Sequence, residues 1–287
     1  MDKLRDRIWM YGAVPGAYHT PHYALPGVNT IDPAEACRQL GLTHAVMDVT
    51  IHGPFYPFDE ESEKLSFLDE LVWTIIPSGG VRRNEDNFFD TEEVIRQIRK
   101  YPNVKGVFCD DFLYRRRKLF SPDDLKTMKQ KVLEAAGRPM DMWMVVYDYD
   151  LLTDAIPELK IWNYGEPVDV ATFWTWYPFY LKVLEDHIDV VAKKWPAKKY
   201  NVGVYLWDFC TGKPLSKELM QLQLDTVLKL LREGKIDSIS LCSNCIMGIG
   251  LETETIFRKW LDRYGDEEIA PAVRRADAGE LIVNDRL

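Results

Sequence analysis

Eight short apolar segments, separated by stretches with the pattern of helices, run along this chain of 287 residues. Short, mostly apolar runs are typical of strands that are buried on both faces of a parallel sheet. We predict strands over Ile8 to Val14, His44 to Val49, Leu71 to Ile76, Lys105 to Asp110, Met142 to Tyr147, Asp169 to Thr175, Gly203 to Trp207 and Ser238 to Cys242. The chain is thereby restricted to an α/β fold in which each strand is followed by a crossover.

The intervening stretches carry residues that begin helices. Asp32 and Ser121 each stand directly before a proline, an order typical of a helix N-cap and first turn. Further helices are expected from Asp90, over Leu152 to Ile161, over Leu215 to Leu231 and over Glu252 to Tyr264. The repeat predicts a single (β/α)8 TIM barrel, which typically takes about 250 residues. Residues 1–287 then form one domain, and 266–287 are a charged tail that either lies over the barrel or is mobile.

Charge and composition restrict the partners. The net charge of −9 lacks the basic excess that binding to a nucleic acid requires. The first seven residues are mostly charged, and no run of about 18 apolar residues exists, so we expect no secretory signal, no membrane span and a cytoplasmic location. Five cysteines are an odd number and favour buried free thiols over disulfides. The sequence carries no signature of an oligomeric state.

The fourth predicted strand ends in two consecutive aspartates, Asp110 and Asp111. Catalytic groups of (β/α)8 barrels lie at the carboxyl ends of the strands, so this pair is the first candidate for chemistry. Because side chains alternate along a strand, Asp110 should share the inward face with Gly106 and Phe108, while Asp111 turns over the rim or pairs with a cation. We interpret Asp110 as nucleophile or base and Asp148, at the end of the fifth strand, as the preferred acid, with Asp111 behind it.

Other strand ends add carboxylates and aromatic rings. Cleavage of a glycosidic bond needs two carboxyl groups, about 5 Å apart for retention of configuration and roughly 6.5–9.5 Å apart for inversion. Aromatic rings stack on the C–H face of a sugar. Residues at or near strand ends are therefore candidates for substrate binding: Tyr11, Asp48, Tyr147, Trp174, Trp176, Trp207, Asp208 and Asn244. We expect the rings of Tyr147, Trp174, Trp176 and Trp207 to line a cleft, and Asp208 is a further candidate for the acid.

The segment from Lys105 to Phe112 resembles a signature of several glycoside-hydrolase-like (β/α)8 barrels. That signature reads Asp-Gly-hydrophobic-x-x-Asp-Asp-aromatic and closes the fourth strand. The first aspartate of its Asp-Asp pair is held to be catalytic. Asp169 to Trp176 also looks like a sixth strand of such barrels. The resemblance implies a catalytic role for Asp110. Two departures are that Lys105 replaces the leading aspartate and that no glutamate ends a predicted strand.

Other chemistries have weaker support. A metal-dependent barrel needs several histidines at strand ends, and only His19 and His22, in the first loop, have a spacing that makes half a site. Cys242 and Cys245 form a single CxxC pair, which favours buried thiols over zinc or redox chemistry. The loop from Met247 to Gly250 is a candidate cradle for a phosphate, although two glutamates follow it. A Schiff-base aldolase needs an interior lysine, and Lys105 lies at the wrong end of its strand.

Two classes of function remain. The first is a carbohydrate-active hydrolase that uses rim aspartates without a metal or cofactor on a small-molecule or oligosaccharide substrate. The second is a carbohydrate-binding barrel without catalysis, and a phosphosugar-processing barrel is a further alternative. A second carboxyl near Asp110 together with a raised pKa on one of the two favours the enzyme. An Asp110 that is paired with arginine favours binding alone.

Overall fold

The computed structural model describes residues 2–77, 90–112, 120–151, 161–195 and 197–272. A two-residue strand β1 (Asp2–Lys3) precedes eight parallel strands that form a closed barrel in chain order. The barrel strands are β2 (Ile8–Gly12), β3 (His44–Met47), β4 (Glu70–Ile76), β5 (Val104–Cys109), β6 (Asp141–Tyr147), β7 (Val170–Trp174), β8 (Lys199–Tyr205) and β9 (Ser238–Cys242). Strand β9 pairs with β2 and closes the ring. The predicted (β/α)8 barrel is confirmed.

Eight helices lie in the described part of the chain: α1 (Pro33–Leu40), α2 (Asp59–Lys64), α3 (Thr91–Lys100), α4 (Pro122–Ala136), α5 (Asp148–Leu151), α6 (Leu184–Lys194), α7 (Lys217–Arg232) and α8 (Glu252–Tyr264). The Asp32 carboxylate accepts the N–H of Glu35, and the Ser121 hydroxyl accepts that of Asp124, so both predicted N-caps are confirmed. The predicted helix from Leu152 to Ile161 lies almost wholly outside the described residues. Helix α5 precedes it, and a 3-10 turn (Ile161–Tyr164) follows it.

Strand β8 begins at Lys199, four residues before its predicted start at Gly203. The reason is a buried polar contact that hydrophobicity does not signal. Asn201 lies inside the barrel, where its amide donates to the Ser238 hydroxyl and accepts from the Ser240 hydroxyl, both at 2.8 Å. Because each polar group of this set has a partner, the polar start of the strand is compatible with complete burial.

The first residues of the predicted tail belong to a small sheet. Strand β10 (Glu268–Ile269) pairs antiparallel with β1, and Ile269 is buried. Of the expected tail at 266–287, residues 266–272 lie in the described part of the chain and residues 273–287 lie outside it. Within the described ranges, none of the helices has the length and apolar character needed to cross a bilayer.

A buried carboxylate stabilises the start of β7, and it gives a prediction for stability. Asp169 accepts the N–H of Met142 at 2.9 Å and pairs with the Lys129 and Lys198 ammonium groups, each at 2.7 Å. Burial by itself raises the pKa of Asp169, but the two lysines and the N–H more than offset burial, so the pKa is lowered. We expect Asp169→Asn to reduce the free energy of unfolding by roughly 2 kcal/mol at neutral pH.

This loss should depend on pH. A carboxyl whose pKa is lowered by folding stabilises the protein above its unfolded pKa of about 3.9, and this stabilisation is lost as the pH falls through the folded pKa. Urea unfolding at neutral and at acidic pH measures the difference. Asp141→Asn is the matched control, because Asp141 pairs with the half-exposed Lys199 and should contribute less than about 1 kcal/mol. If Asp169→Asn reduced the free energy of unfolding by the same amount at both pH values, this account would be contradicted.

Candidate functional site

Asp110 directly follows β5 and points into the barrel. The Tyr11 hydroxyl, on β2, donates a hydrogen bond of 2.8 Å to the Oδ2 atom of Asp110. Strands β2 and β5 are not neighbours in the sheet, so this bond crosses the interior. The ring of Phe108 lies 5.8 Å from that of Tyr11, on the same inner face. The predicted orientation of Phe108 and Asp110 is confirmed.

Asp111 is brought to the same mouth by an unusual backbone conformation. Its φ angle is 46°, in the left-handed region that aspartate visits more readily than most residues. The Tyr147 hydroxyl, at the end of β6, donates to the Oδ1 atom of Asp111 at 2.9 Å. Two consecutive carboxyl groups are thus each held by a tyrosine hydroxyl, from two different strands.

A third carboxyl group lies near this pair. Asp48 follows β3, is completely buried and accepts a long hydrogen bond of 3.4 Å from the Thr74 hydroxyl. Burial raises the pKa of Asp110 well above its usual range, and the negative charges of Asp111 and Asp48 raise this pKa further. The Tyr11 hydroxyl opposes the shift but does not cancel it. Asp110 therefore keeps its proton to higher pH than an exposed aspartate does.

Aromatic rings surround the carboxyl groups at the mouth. The Trp174 ring lies 5.4 Å from that of Tyr11 and 4.7 Å from that of Tyr205, measured between ring centroids. Trp174 fits against β8 because residue 203 is a glycine, where an added Cβ atom would lie 1.8 Å from the indole. Tyr205 belongs to the same cluster, although the site predicted from the sequence did not include it.

Most of the rings that we expected to line a cleft are buried. Trp176 is half-buried and borders the mouth, where its ring lies 6.0 Å from that of Tyr147. Tyr147 and Trp174 are only 8% and 2% exposed and form its floor instead of an open wall. Trp207 is 2% exposed, and its indole N–H donates to the carbonyl of Tyr23 in the loop after β2. The expectation that Trp207 lines an open cleft is wrong, because this loop covers it.

Two other predicted site residues hold loops in place. The Asp208 carboxylate accepts the backbone N–H and the hydroxyl of Thr211 and thereby caps a turn. The Asn244 amide accepts from the N–H of Ala13 and donates to the carbonyls of Ala13 and Ile31. These polar atoms are already engaged by the protein, so neither side chain is placed to bind a ligand through them.

Asp148 has a similar structural role. Its Oδ1 atom accepts the N–H of Tyr149 at 2.8 Å, and its Oδ2 atom accepts that of Tyr177 at 2.9 Å. Burial raises the pKa of Asp148, and these N–H groups oppose the increase. The Asp148 carboxylate therefore holds a backbone group of helix α5, which begins at this residue, and one of the segment after β7, and its role as the acid stays a prediction. Asp150, which we did not predict, accepts the N–H of Tyr147.

The alternative chemistries do not gain geometric support. His19 accepts the N–H of Asn29, and the described residues contain no group of three or more potential ligands arranged around a metal position. All five cysteines are free thiols, and Cys242 and Cys245 are both buried. The Glu254 carboxylate accepts the N–H of Gly248 at 2.8 Å. A carboxylate therefore already occupies the loop that we considered for a phosphate.

Tyr18 is a partly buried residue near the carboxyl groups that was not predicted from the sequence. It lies in the loop after β2, and its ring is 5.6 Å from that of Phe209 in the loop after β8. Burial raises its pKa, and the negative charges of nearby groups, among them Asp48, add to the shift. No periodic pattern marks residues of irregular loops, so this member of the site could not be predicted from the sequence.

Comparison with known structures identifies the same architecture. A chitinase active domain from Pyrococcus furiosus is 13% identical with a TM-score of 0.55, over 90% of this chain and 96% of that one. Concanavalin B is 10% identical with a TM-score of 0.57, over 92% and 100%. A family 18 N-acetylglucosaminidase from Paenibacillus barengoltzii is 10% identical with a TM-score of 0.53, over 88% and 99%. No protein-family model and no curated protein sequence matches the chain. These likenesses establish the barrel fold alone.

Proposed function

We propose that this protein is a carbohydrate-active enzyme that cleaves glycosidic bonds with Asp110 and Asp111. The observation that carries the proposal is the convergence of these two carboxyl groups and Asp48 at one barrel mouth, each bonded to a hydroxyl group. Aromatic rings border the same mouth, as expected for a site that binds sugars. Chemistry of this kind requires only carboxyl groups and water.

The environments of the two aspartates suggest different roles. Asp110 is 4% exposed and keeps its proton to higher pH than an exposed aspartate does, so we assign it as the general acid that protonates the leaving oxygen. Asp111 is more exposed and takes the role of base or nucleophile. This assignment reverses the role expected for Asp110 from the sequence, because burial and then the neighbouring charges make an ionised Asp110 unfavourable.

The test is a screen for hydrolysis. The substrates are aryl glycosides together with chito-, cello- and xylo-oligosaccharides, which include the sugars named for the Pyrococcus furiosus chitinase complex. Release of reducing ends by the wild type, and its loss in Asp110→Asn, supports the proposal. NMR of the first product anomer then assigns retention or inversion. Absence of turnover on every substrate would contradict it.

A carbohydrate-binding protein without turnover is the second candidate. It is favoured by the engagement of Asp148 and Asp208 with backbone groups, which leaves fewer carboxyl groups at the mouth than the sequence suggested. The two candidates differ in one measurable respect. A binding protein retains its sugar affinity but yields no reducing ends at any pH.

The pH dependence of activity gives a further prediction. An acid must be protonated, so activity should be lost as the pH rises through the raised pKa of Asp110, which lies above the ordinary value of about 3.9. Asp48→Asn removes one of the negative charges that raise this pKa. The alkaline limb of kcat/KM should then move to lower pH by about one unit. A limb that stays in place or moves to higher pH would show that Asp110 is not the acid.

A further inference from the structure

Aromatic rings in mutual contact lead from the carboxyl pair to the protein surface. The ring of Tyr147, whose hydroxyl binds Asp111, stacks on that of Tyr149 at a centroid distance of 4.8 Å and an angle of 16°. Tyr149 lies 6.3 Å from Tyr177, and Tyr177 lies 5.7 Å from Phe179 with the planes 25° apart. Phe179 is 61% exposed. We call Tyr149, Tyr177 and Phe179 the outer aromatic track.

The backbone beneath the track is fixed by the buried Asp148. This residue is 1% exposed, and its two oxygens accept the N–H groups of Tyr149 and Tyr177. Tyr149 belongs to helix α5, directly after β6, and Tyr177 lies in the segment after β7. A single carboxylate thus sets the position of one ring relative to the other. Rings that are positioned in advance lose little conformational entropy when a ligand binds.

We propose that the outer aromatic track binds sugar units of an oligosaccharide beyond the bond that is cleaved, so that the substrate is a glycan chain rather than a single sugar. The inference rests on the function proposed above and deepens it. The track is continuous with the carboxyl pair through Tyr147. Tyrosine combines an apolar face with a hydroxyl group, and both match the alternating C–H and O–H surface of a sugar. A succession of separate rings fits a chain-like ligand better than a broad apolar partner surface.

The experiment compares substrates of different length. The probes are chito-, cello- and xylo-oligosaccharides of two and of six units, and the variant is Phe179→Ala. We expect kcat/KM to fall about fivefold more for the six-unit than for the two-unit sugar, as the loss of one stacked ring predicts. Phe67→Ala is the matched control. Phe67 is also an exposed phenylalanine, but it lies before β4 at the opposite end of the barrel. For Phe67→Ala, the ratio of kcat/KM on the six-unit sugar to kcat/KM on the two-unit sugar should equal that of the wild type.

Asp148→Asn separates positioning from catalysis. An asparagine side chain has one oxygen fewer to accept an N–H. The two backbone segments that carry the outer aromatic track therefore lose one of their contacts with residue 148. We expect the same selective loss on six-unit sugars. An acid role for Asp148 would instead lower kcat on both lengths equally.

Binding measurements keep the outcome independent of turnover. Calorimetry on Asp110→Asn, with and without Phe179→Ala, gives the affinity for each six-unit sugar. If affinity falls with Phe179→Ala but no sugar is cleaved by the wild type, the track stands and the glycosidase proposal fails. If the wild type cleaves a sugar and Phe179→Ala keeps the wild-type length ratio, the track is overturned and the glycosidase proposal stands. Absence of binding by every six-unit sugar also overturns the track.

Discussion

Asp110→Asn should lower turnover by about 10² or more, the scale of a lost general acid or base. The substitution keeps the shape of the side chain, and the amide oxygen still accepts the hydrogen bond from Tyr11. It removes only the ability to exchange a proton. The measurement is kcat on the best substrate of the screen. Asp141→Asn, at the amino-terminal end of β6 and far from the mouth, should retain turnover within about twofold of the wild type.

The stability of Asp110→Asn checks this interpretation. A carboxyl whose pKa is raised by folding loses stabilisation as the pH rises from its unfolded pKa, about 3.9, through the folded value. The neutral amide of the Asp110→Asn variant does not titrate, so its contribution to stability does not fall as the pH rises. The thermal midpoint at neutral pH should therefore equal or exceed that of the wild type. Wild-type turnover in Asp110→Asn would refute the mechanism, and an unfolded variant would assign Asp110 a structural role.

Gly203→Ala should destabilise the barrel by about 3 kcal/mol, the upper end of typical overpacking effects. An ideal Cβ atom at this position lies 1.8 Å from Cε3 and 2.1 Å from Cδ2 of Trp174. The indole is 2% exposed and contacts Tyr11 and Tyr205, so it has little room to move away. The measurement is the urea midpoint and slope of the variant against the wild type.

A second substitution tests the cause of this loss. Trp174→Leu removes the part of the ring that the new Cβ atom meets, although it leaves a cavity of its own. The double variant should be less destabilised than the sum of the single variants by about 1 kcal/mol or more. Additive losses would mean that the alanine acts through the backbone of β8 and not through Trp174.

The barrel and the orientation of Asp110 could be predicted because both follow from regular strands. Strand periodicity gives the number of strands, and alternation places Phe108 and Asp110 on the inner face, where Tyr11 meets them. Tyr147 was placed at the end of a strand, and it is the last residue of β6. Within regular strands, local sequence and final structure therefore agree.

The rest of the site depends on irregular segments, where no such rule applies. Asp148 was expected at the end of a strand, but helix α5 starts there, so strand alternation does not place its carboxylate. Trp207 and Asn244 were placed by extending strands that end at Tyr205 and Cys242. The loop after β2 then folds over both residues, and its contacts are long-range in sequence. Periodicity contains no information on such contacts.

The central claim is that a glycan is cleaved at the Asp110 and Asp111 pair, and a crystal structure of Asp110→Asn with a bound six-unit sugar tests it most directly. We expect this variant to bind its ligand and to turn it over more slowly than the wild type by a factor of about 10² or more, so that the intact chain can be observed. We predict that a glycosidic oxygen lies within about 3.2 Å of the side chain at position 110, in reach of a transferred proton. A sugar chain bound with every glycosidic oxygen beyond hydrogen-bond distance of positions 110 and 111 would contradict the claim.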